Sequence, residues 1–518
     1  MYRRKTQITV HEVESSENGK AASSNGTKKC RLLVQLIVFA FLFIATLTYT
    51  QAALKGIVHV TPPEQQESSL LNKLGNSMVS KAFKTDQDQV TVERNSIPSQ
   101  TFEETTPSAQ AKAIEYHVVF STACSPQQDW QSYVLFYHAF KVNQLGNVTR
   151  IVSGCNAKQV EALTAFHDKV VSKLSDRFHL HFTPDYSTVR LESGIHPYKY
   201  MNKPFGLRHW FENKLGFSEL RPAPANLEDD VIILLDPDMI LIKPITHDFS
   251  KSGVIWVDNP KVEDMVVRHG NPISQEDAYL SNEWLHFNFT YITGDAKSPA
   301  YNVRKGNANK HYNTGPPYLA TVKDMWKIVT KWTEMAPLVF DIYPNLFAEM
   351  YGYCSATAHL KLPHTMIKSI VVSATKSEDR EGWELVDALP LNQICQPPAT
   401  ANLPFILHYC QRYRIDKWFW SKYRIRSNFL SCEVNLLTMP QSNITSIFYQ
   451  FTPPVGPGKP IGPRKNITAE QAKRESFMLC QIIPKVNEAV EHYKQKHCDP
   501  TTANFSRTYN IYDYPSYD

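Results

Sequence analysis

Short apolar runs separated by amphipathic stretches set the pattern from about residue 115 onward. Residues 115–122 (EYHVVFST), 148–154 (VTRIVSG) and 178–184 (FHLHFTP) are rich in β-branched and aromatic side chains, as strands are. Residues 230–236 (DVIILLD) are continuously apolar between two carboxylates, the pattern of a strand covered on both faces. Between the first two runs, Trp130, Val134, Tyr137 and Phe140 recur at three- and four-residue spacing and predict a helix with those four on one face. Residues 157–174 and 202–214 also read as helical. Strands alternating with helices predict an α/β fold with a mostly parallel central sheet, whose ligands bind at the carboxyl ends of the strands. Residues 403–407 read as a late strand, and 436–518 as a loop-rich extension with one helix near 469–495.

The amino-terminal pattern differs. Residues 32–49 (LLVQLIVFAFLFIATLTY) are uncharged and apolar, close to the ~20 residues that span a bilayer as a helix. Arg3, Arg4, Lys5, Lys20, Lys28, Lys29 and Arg31 precede them, which sets the first residues in the cytoplasm and the rest in a lumen. The long polar segment before the run favours an uncleaved signal anchor over a signal peptide cleaved near Ala53. The expected organisation is a cytoplasmic tail (1–31), a transmembrane anchor (32–50), a disordered lumenal stem (51–112), a catalytic domain (113–435) and an extension (436–518). Glycosylation sequons at Asn147, Asn288, Asn443, Asn466 and Asn504 all follow the apolar run, and one at Asn25 precedes it. A single-pass type II protein of the Golgi or ER membrane is expected.

Composition narrows the class. The 55 basic and 50 acidic residues leave a net charge of +5 with no basic stripe, so nothing points to nucleic acid. Nine cysteines are present; eight follow the apolar run and none forms a CxxC pair, which suits disulfides in an oxidising compartment better than a zinc site.

The strongest chemical feature is Asp236-Pro237-Asp238, set on a turn directly after the apolar strand. Two carboxylates held there suit a hard divalent cation bridging diphosphate oxygens. A surface turn gives the same spacing, so the strand before it carries the weight. Lys203 stands with Asn202 and Pro204 at a helix start, where a cation and free N–H groups both suit phosphate; a solvated lysine is the alternative. Glu349 falls beside an expected apolar stripe of Leu346, Met350 and Cys354, and could bind hydroxyls or serve a structural network. His408 follows the late strand and could complete a metal site with Asp238. The segment 313–317 (Asn-Thr-Gly-Pro-Pro) reads as a rigid turn, with Asn313 and Gly315 as candidates for a sugar or acceptor pocket. Trp284, Trp418, Phe419 and Trp420 offer stacking faces, although most large aromatics are core. Asp129 is placed to stabilise the start of the first helix.

Six blocks in order carry a resemblance: residues 117–131 (HVVFSTACSPQQDWQ), 148–154, 201–210 (MNKPFGLRHW), 234–240 (LLDPDMI), 348–356 (AEMYGYCSA) and 405–410 (FILHYC), the last followed by Trp418 and Lys422. Together, over roughly 116–423, they resemble the plant and algal peptidyl hydroxyproline O-arabinosyltransferase and peptidyl serine O-galactosyltransferase group. The resemblance implies a GT-A-like single Rossmann-type domain, a UDP-sugar donor, Mn²⁺ (or Mg²⁺) and retention of anomeric configuration. It implies metal ligation by Asp236, Asp238 and His408, and donor contact through Asp236, Lys203 and Asn202. Catalytic roles fall to Glu349 and Asp238, and a sugar or acceptor pocket to Asn313, Gly315 and Trp418. The hydroxyproline enzymes tend to carry Glu-Pro-Asp where this chain has Asp-Pro-Asp, which sits closer to the serine galactosyltransferases. The expected partners are a nucleotide-sugar, a Pro-rich secreted protein or peptide accepting at hydroxyproline or serine, and the membrane. The alternatives are a non-catalytic glycan-binding module on the same fold and a transferase acting on polysaccharide.

Overall fold

The computed structural model describes residues 113–511 apart from 219, 221–223, 378, 455–458, 502, 504 and 506. The expected anchor and stem lie outside the described residues, and among those that are described no helix is long and apolar enough to cross a membrane.

The chain enters through β1 (Tyr116–Ala123), α1 (Pro126–Lys141), β2 (Asn147–Ser153), α2 (Ala157–Lys169) and β3 (Phe178–Thr183). Asn156 caps α2 reciprocally with Gln159, which fixes its first turn. Helix α3 (Asn202–Lys214) then leads to β4 (Val231–Leu235). β1 pairs in parallel with both β2 and β4, and β2 with β3. The mostly parallel sheet read from the sequence is therefore present, completed by β6 (Ile273–Glu276), β7 (Thr314–Thr321) and β8 (Thr365–Ile367) in the order β8-β6-β7-β4-β1-β2-β3. β7 is the exception, antiparallel to both β4 and β6.

Continuous hydrophobicity in β4 has a direct structural cause. Val231, Ile233 and Leu235 point into one core with α1 and a long late helix, α6 (Ala469–His497), whereas Ile232 and Leu234 point into a second core. That second core is closed by α3, α4 (Val322–Ile342) and α5 (Ala348–His359). A small sheet crosses the carboxyl end of β4: β5 (Met239–Leu241) pairs antiparallel with β10 (Ile406–His408), which pairs with β9 (Val371–Val372). A hairpin of β11 (Tyr413–Ile415) and β12 (Trp418–Trp420) follows.

Several local expectations need correction. Phe140 ends α1 at 48% exposure rather than sharing the buried face of Trp130 and Val134. The segment 313–317 is not a free turn, because Thr314 already begins β7. The stripe of Leu346, Met350 and Cys354 is not the buried face of a helix; α5 starts at Ala348, is buried almost all round, and leaves Leu346 exposed. Six of the eight later cysteines pair, as Cys124–Cys155, Cys395–Cys480 and Cys432–Cys498, while Cys354 and Cys410 stay free.

Candidate active site

β4 ends at Leu235, and the turn between β4 and β5 delivers Asp236 and Asp238 at the carboxyl end of the sheet. The distant histidine arrives by strand pairing. β10 runs beside β5 with His408 opposite Met239, and Tyr409 N–H donates to the Asp238 carbonyl at 3.0 Å. His408 Nε2 thereby lies 3.2 Å from Asp238 Oδ1. One potential ligand atom from each of Asp236, Asp238 and His408 falls within 4.8 Å of the others. A second such group, Glu115, His117 and Asp230, sits at the amino ends of the strands, where α/β sheets do not bind substrates. Asp230 Oδ1 there accepts the Glu115 N–H, a structural use.

Two lysines flank the acids. Lys203, in the first turn of α3, lies 2.8 Å from Asp236 Oδ1 and 3.6 Å from Glu349 Oε1. Lys422, just after β12, forms a short ion pair with the other oxygen of Asp238. Burial alone would raise the Asp238 carboxyl, but Lys422 and His408 together hold it well below the usual carboxylate range. Burial likewise works against the charge of Lys203, and Asp236 and Glu349 more than offset it.

Glu349 is 2% exposed, on α5 behind Lys203. Burial pushes its carboxyl up to about 7; Lys203 opposes the shift and Asp236 adds to it. Its Oε1 has no hydrogen-bond partner among the described residues, and the Lys203 ammonium lies 3.6 Å from it. The arrangement is a line of alternating charges, with an oxygen at its inner end able to accept a hydroxyl.

The remaining candidates are placed differently. Asn202 starts α3, but its side-chain oxygen accepts the Tyr186 N–H at 2.8 Å, so it shapes the approach to Lys203. Asn313 is buried, and its amide is taken up by Trp284, Asn282 and Asn309. It supports the wall and leaves no atom for a sugar. Trp284, Phe419 and Trp420 are buried and offer no free stacking face, whereas Trp418 lies half-buried against the core and keeps part of its surface exposed. Asp129 pairs with Arg150 at 2.8 Å and ties α1 to β2.

Gly315 lies against a residue that sequence reasoning missed. A Cβ there would come 2.5 Å from Oδ2 of Asp277, the residue that follows β6. Asp277 is buried, its other oxygen accepting the N–H groups of Tyr279 and Leu280, and burial raises its carboxyl. The polar run of β6 gave little signal for it. Lys422 was visible within the closing block of the resemblance, without a role.

Residues 116–253 match the family described as the hydroxyproline O-arabinosyltransferase family N-terminal domain. The chain is similar to a peptidyl serine alpha-galactosyltransferase of Arabidopsis thaliana, 23% identical over 397 residues, which covers 74% of this chain and 38% of that relative's length. Among solved structures, the bifunctional glycosyltransferase WbbM (9% identical, TM-score 0.31, 58% of this chain and 46% of the other) and the galactosyltransferase LgtC (11%, 0.28, 57% and 87%) are similar too weakly to carry an argument. By its matched domain and this relative, the chain is similar to the peptidyl hydroxyproline O-arabinosyltransferase and peptidyl serine O-galactosyltransferase group.

Proposed function

We propose that this chain transfers a sugar from a UDP-sugar to a hydroxyl of serine or hydroxyproline in a Pro-rich secreted protein, with a divalent cation and with retention, on a GT-A-like domain. The observation that carries the reading is the convergence of Asp236, Asp238 and His408 where the central strand ends. Two carboxylates and an imidazole fit Mn²⁺, or Mg²⁺ less well, and the ion pair of Lys422 with Asp238 marks the same spot as favourable to positive charge. A cation held by these residues supplies charge neutralisation for the departing nucleotide.

The chain's own groups do the rest in this reading. Lys203 and Lys422 bring N–H donors to either side of the acid pair, suited to diphosphate oxygens. Glu349, with a buried unsatisfied oxygen, accepts a hydroxyl of the sugar or the acceptor. The reading sets the domain in the lumen of the Golgi or ER, tethered by the apolar run at 32–49. Three disulfides support an oxidising compartment.

Hydrolysis and transfer of UDP-sugars by the full chain in detergent, with Mn²⁺ or with EDTA, test it. Turnover is expected only with metal and is expected to vanish in Asp238→Ala. Metal-independent turnover, or an active Asp238→Ala, contradicts the proposal. Glu349→Gln then separates roles: losing transfer alone assigns it to the acceptor, and losing donor hydrolysis as well assigns it to the sugar.

A further inference from the structure

Three segments that build the site run on into a second cavity of about 450 Å³. Tyr279 lies two residues beyond Asp277, Cys410 two beyond His408, and Tyr423 directly after Lys422. The cavity therefore adjoins the site by covalent continuity of its own walls. Lys376, Arg412 and Arg414 complete the lining. Lys376 and Arg412 are exposed, as is Tyr423 at 44%.

The charge of this lining is one-sided. Its one carboxylate, Glu475, is buried and already engaged, accepting the Arg414 N–H at 2.8 Å and the Thr375 hydroxyl at 2.9 Å. Arg414 lies beside Glu475 and its charge is partly offset there, so Lys376 and Arg412 are the cations that face whatever enters. Guanidinium groups beside phenol rings form a surface suited to a peptide carboxylate with a flat backbone segment against the rings. A diphosphate would need the acids and a cation, and none of Asp236, Asp238 and His408 lines this cavity.

We infer that this cavity is the acceptor subsite, and that it selects a peptide whose reactive hydroxyl is flanked by acidic side chains. The inference rests on the transferase reading above and names the acceptor class for it. Lys376 and Arg412 act as specificity residues, meeting carboxylates one or two positions from the hydroxyl.

The test uses the full chain and two peptides with one Ser-Pro-rich core, one flanked by glutamates and the other by lysines. Transfer is normalised to UDP-sugar hydrolysis by the same preparation. The glutamate peptide is expected to be preferred in kcat/KM by about tenfold or more, the size of one charge-assisted contact, with the difference carried by KM. The double variant Lys376→Glu/Arg412→Glu is expected to reverse the preference. Cys410 supplies a second readout that does not need turnover: its alkylation, followed by mass spectrometry, is expected to slow with the glutamate peptide and not with the lysine peptide. Equal use of both peptides, a preference untouched by the double variant, or protection of Cys410 by UDP alone overturns the inference. Absence of metal-dependent donor hydrolysis in the unmodified chain instead brings down the underlying reading.

Discussion

The most direct test of the site removes one charge. Asp238 is 4% exposed and holds Lys422 on one oxygen and His408, at 3.2 Å, on the other. Asp238→Asn keeps the shape and removes the counter-charge. His408 can shed its proton; Lys422, largely buried, cannot do so cheaply. Breaking a buried ion pair from one side typically costs about 3–5 kcal/mol, because the remaining charge is left unpaired in a poor solvent. The loss should therefore be recovered in large part when Lys422→Met is added, with a coupling of roughly 2–3 kcal/mol between the two positions. Denaturant unfolding of the full chain in EDTA, followed by tryptophan fluorescence, measures it, because Trp130 and Trp420 are buried in the same core. Mn²⁺ supplies the second arm. It should stabilise the unmodified chain by about 2.7 kcal/mol at a hundred times its dissociation constant, and should not stabilise either variant lacking Asp238. An Asp238→Asn protein within about 0.5 kcal/mol of the parent, or one that Lys422→Met leaves unrescued, would refute the electrostatic account of the site.

Three further outcomes are expected. Gly352 on α5 faces Ala336 of α4 so closely that an added Cβ would lie 3.0 Å from its Cα and Cβ. Gly352→Ala should cost roughly 1–3 kcal/mol and, by shifting the helix that carries Glu349, also lower transfer activity; a thermal melt and the transfer assay check both. Gly315→Ala should displace the Asp277 carboxylate and cut transfer while sparing the fold, as circular dichroism beside the activity assay would reveal. Burial holds His138 at about 4 and His364 at about 3, against an ordinary value near 6.5. The unfolded chain thus binds more protons below pH 6.5. The stability these neutral rings preserve is complete above pH 6.5 and is lost as pH falls from there toward 4 and 3. His138→Gln should flatten the fall of unfolding free energy between pH 6.5 and 4, and an unchanged slope would contradict this origin.

What the sequence made legible follows from how local each feature is. β4 and its two aspartates could be read directly, because a strand covered on both faces must be apolar throughout and the acids stand beside it. His408 was harder. Only the pairing of β10 with β5 brings it to Asp238, and no local pattern encodes that register. The error at 313–317 has a precise cause in the ladder. β6 pairs with β7 through Leu319 and Tyr318, shifts register between Ser274 and Gln275, and resumes at Gly315 and Thr314. Pro316 and Pro317 fall in that gap, and β4 pairs with β7 only from Tyr318 onward, so no missing proline N–H breaks the sheet. A Gly-Pro-Pro run that advertises a turn thus lies inside a buried strand. Glu349 was found although its expected amphipathic stripe is absent, because a helix buried on nearly every side has no polar face to define one. Asp236, Asp238 and Lys203 each stand in a recognisable local setting, the acids after an apolar strand and the lysine at a helix start. Lys422 has no such local mark, and it acquires a role only when the late hairpin is folded back onto Asp238.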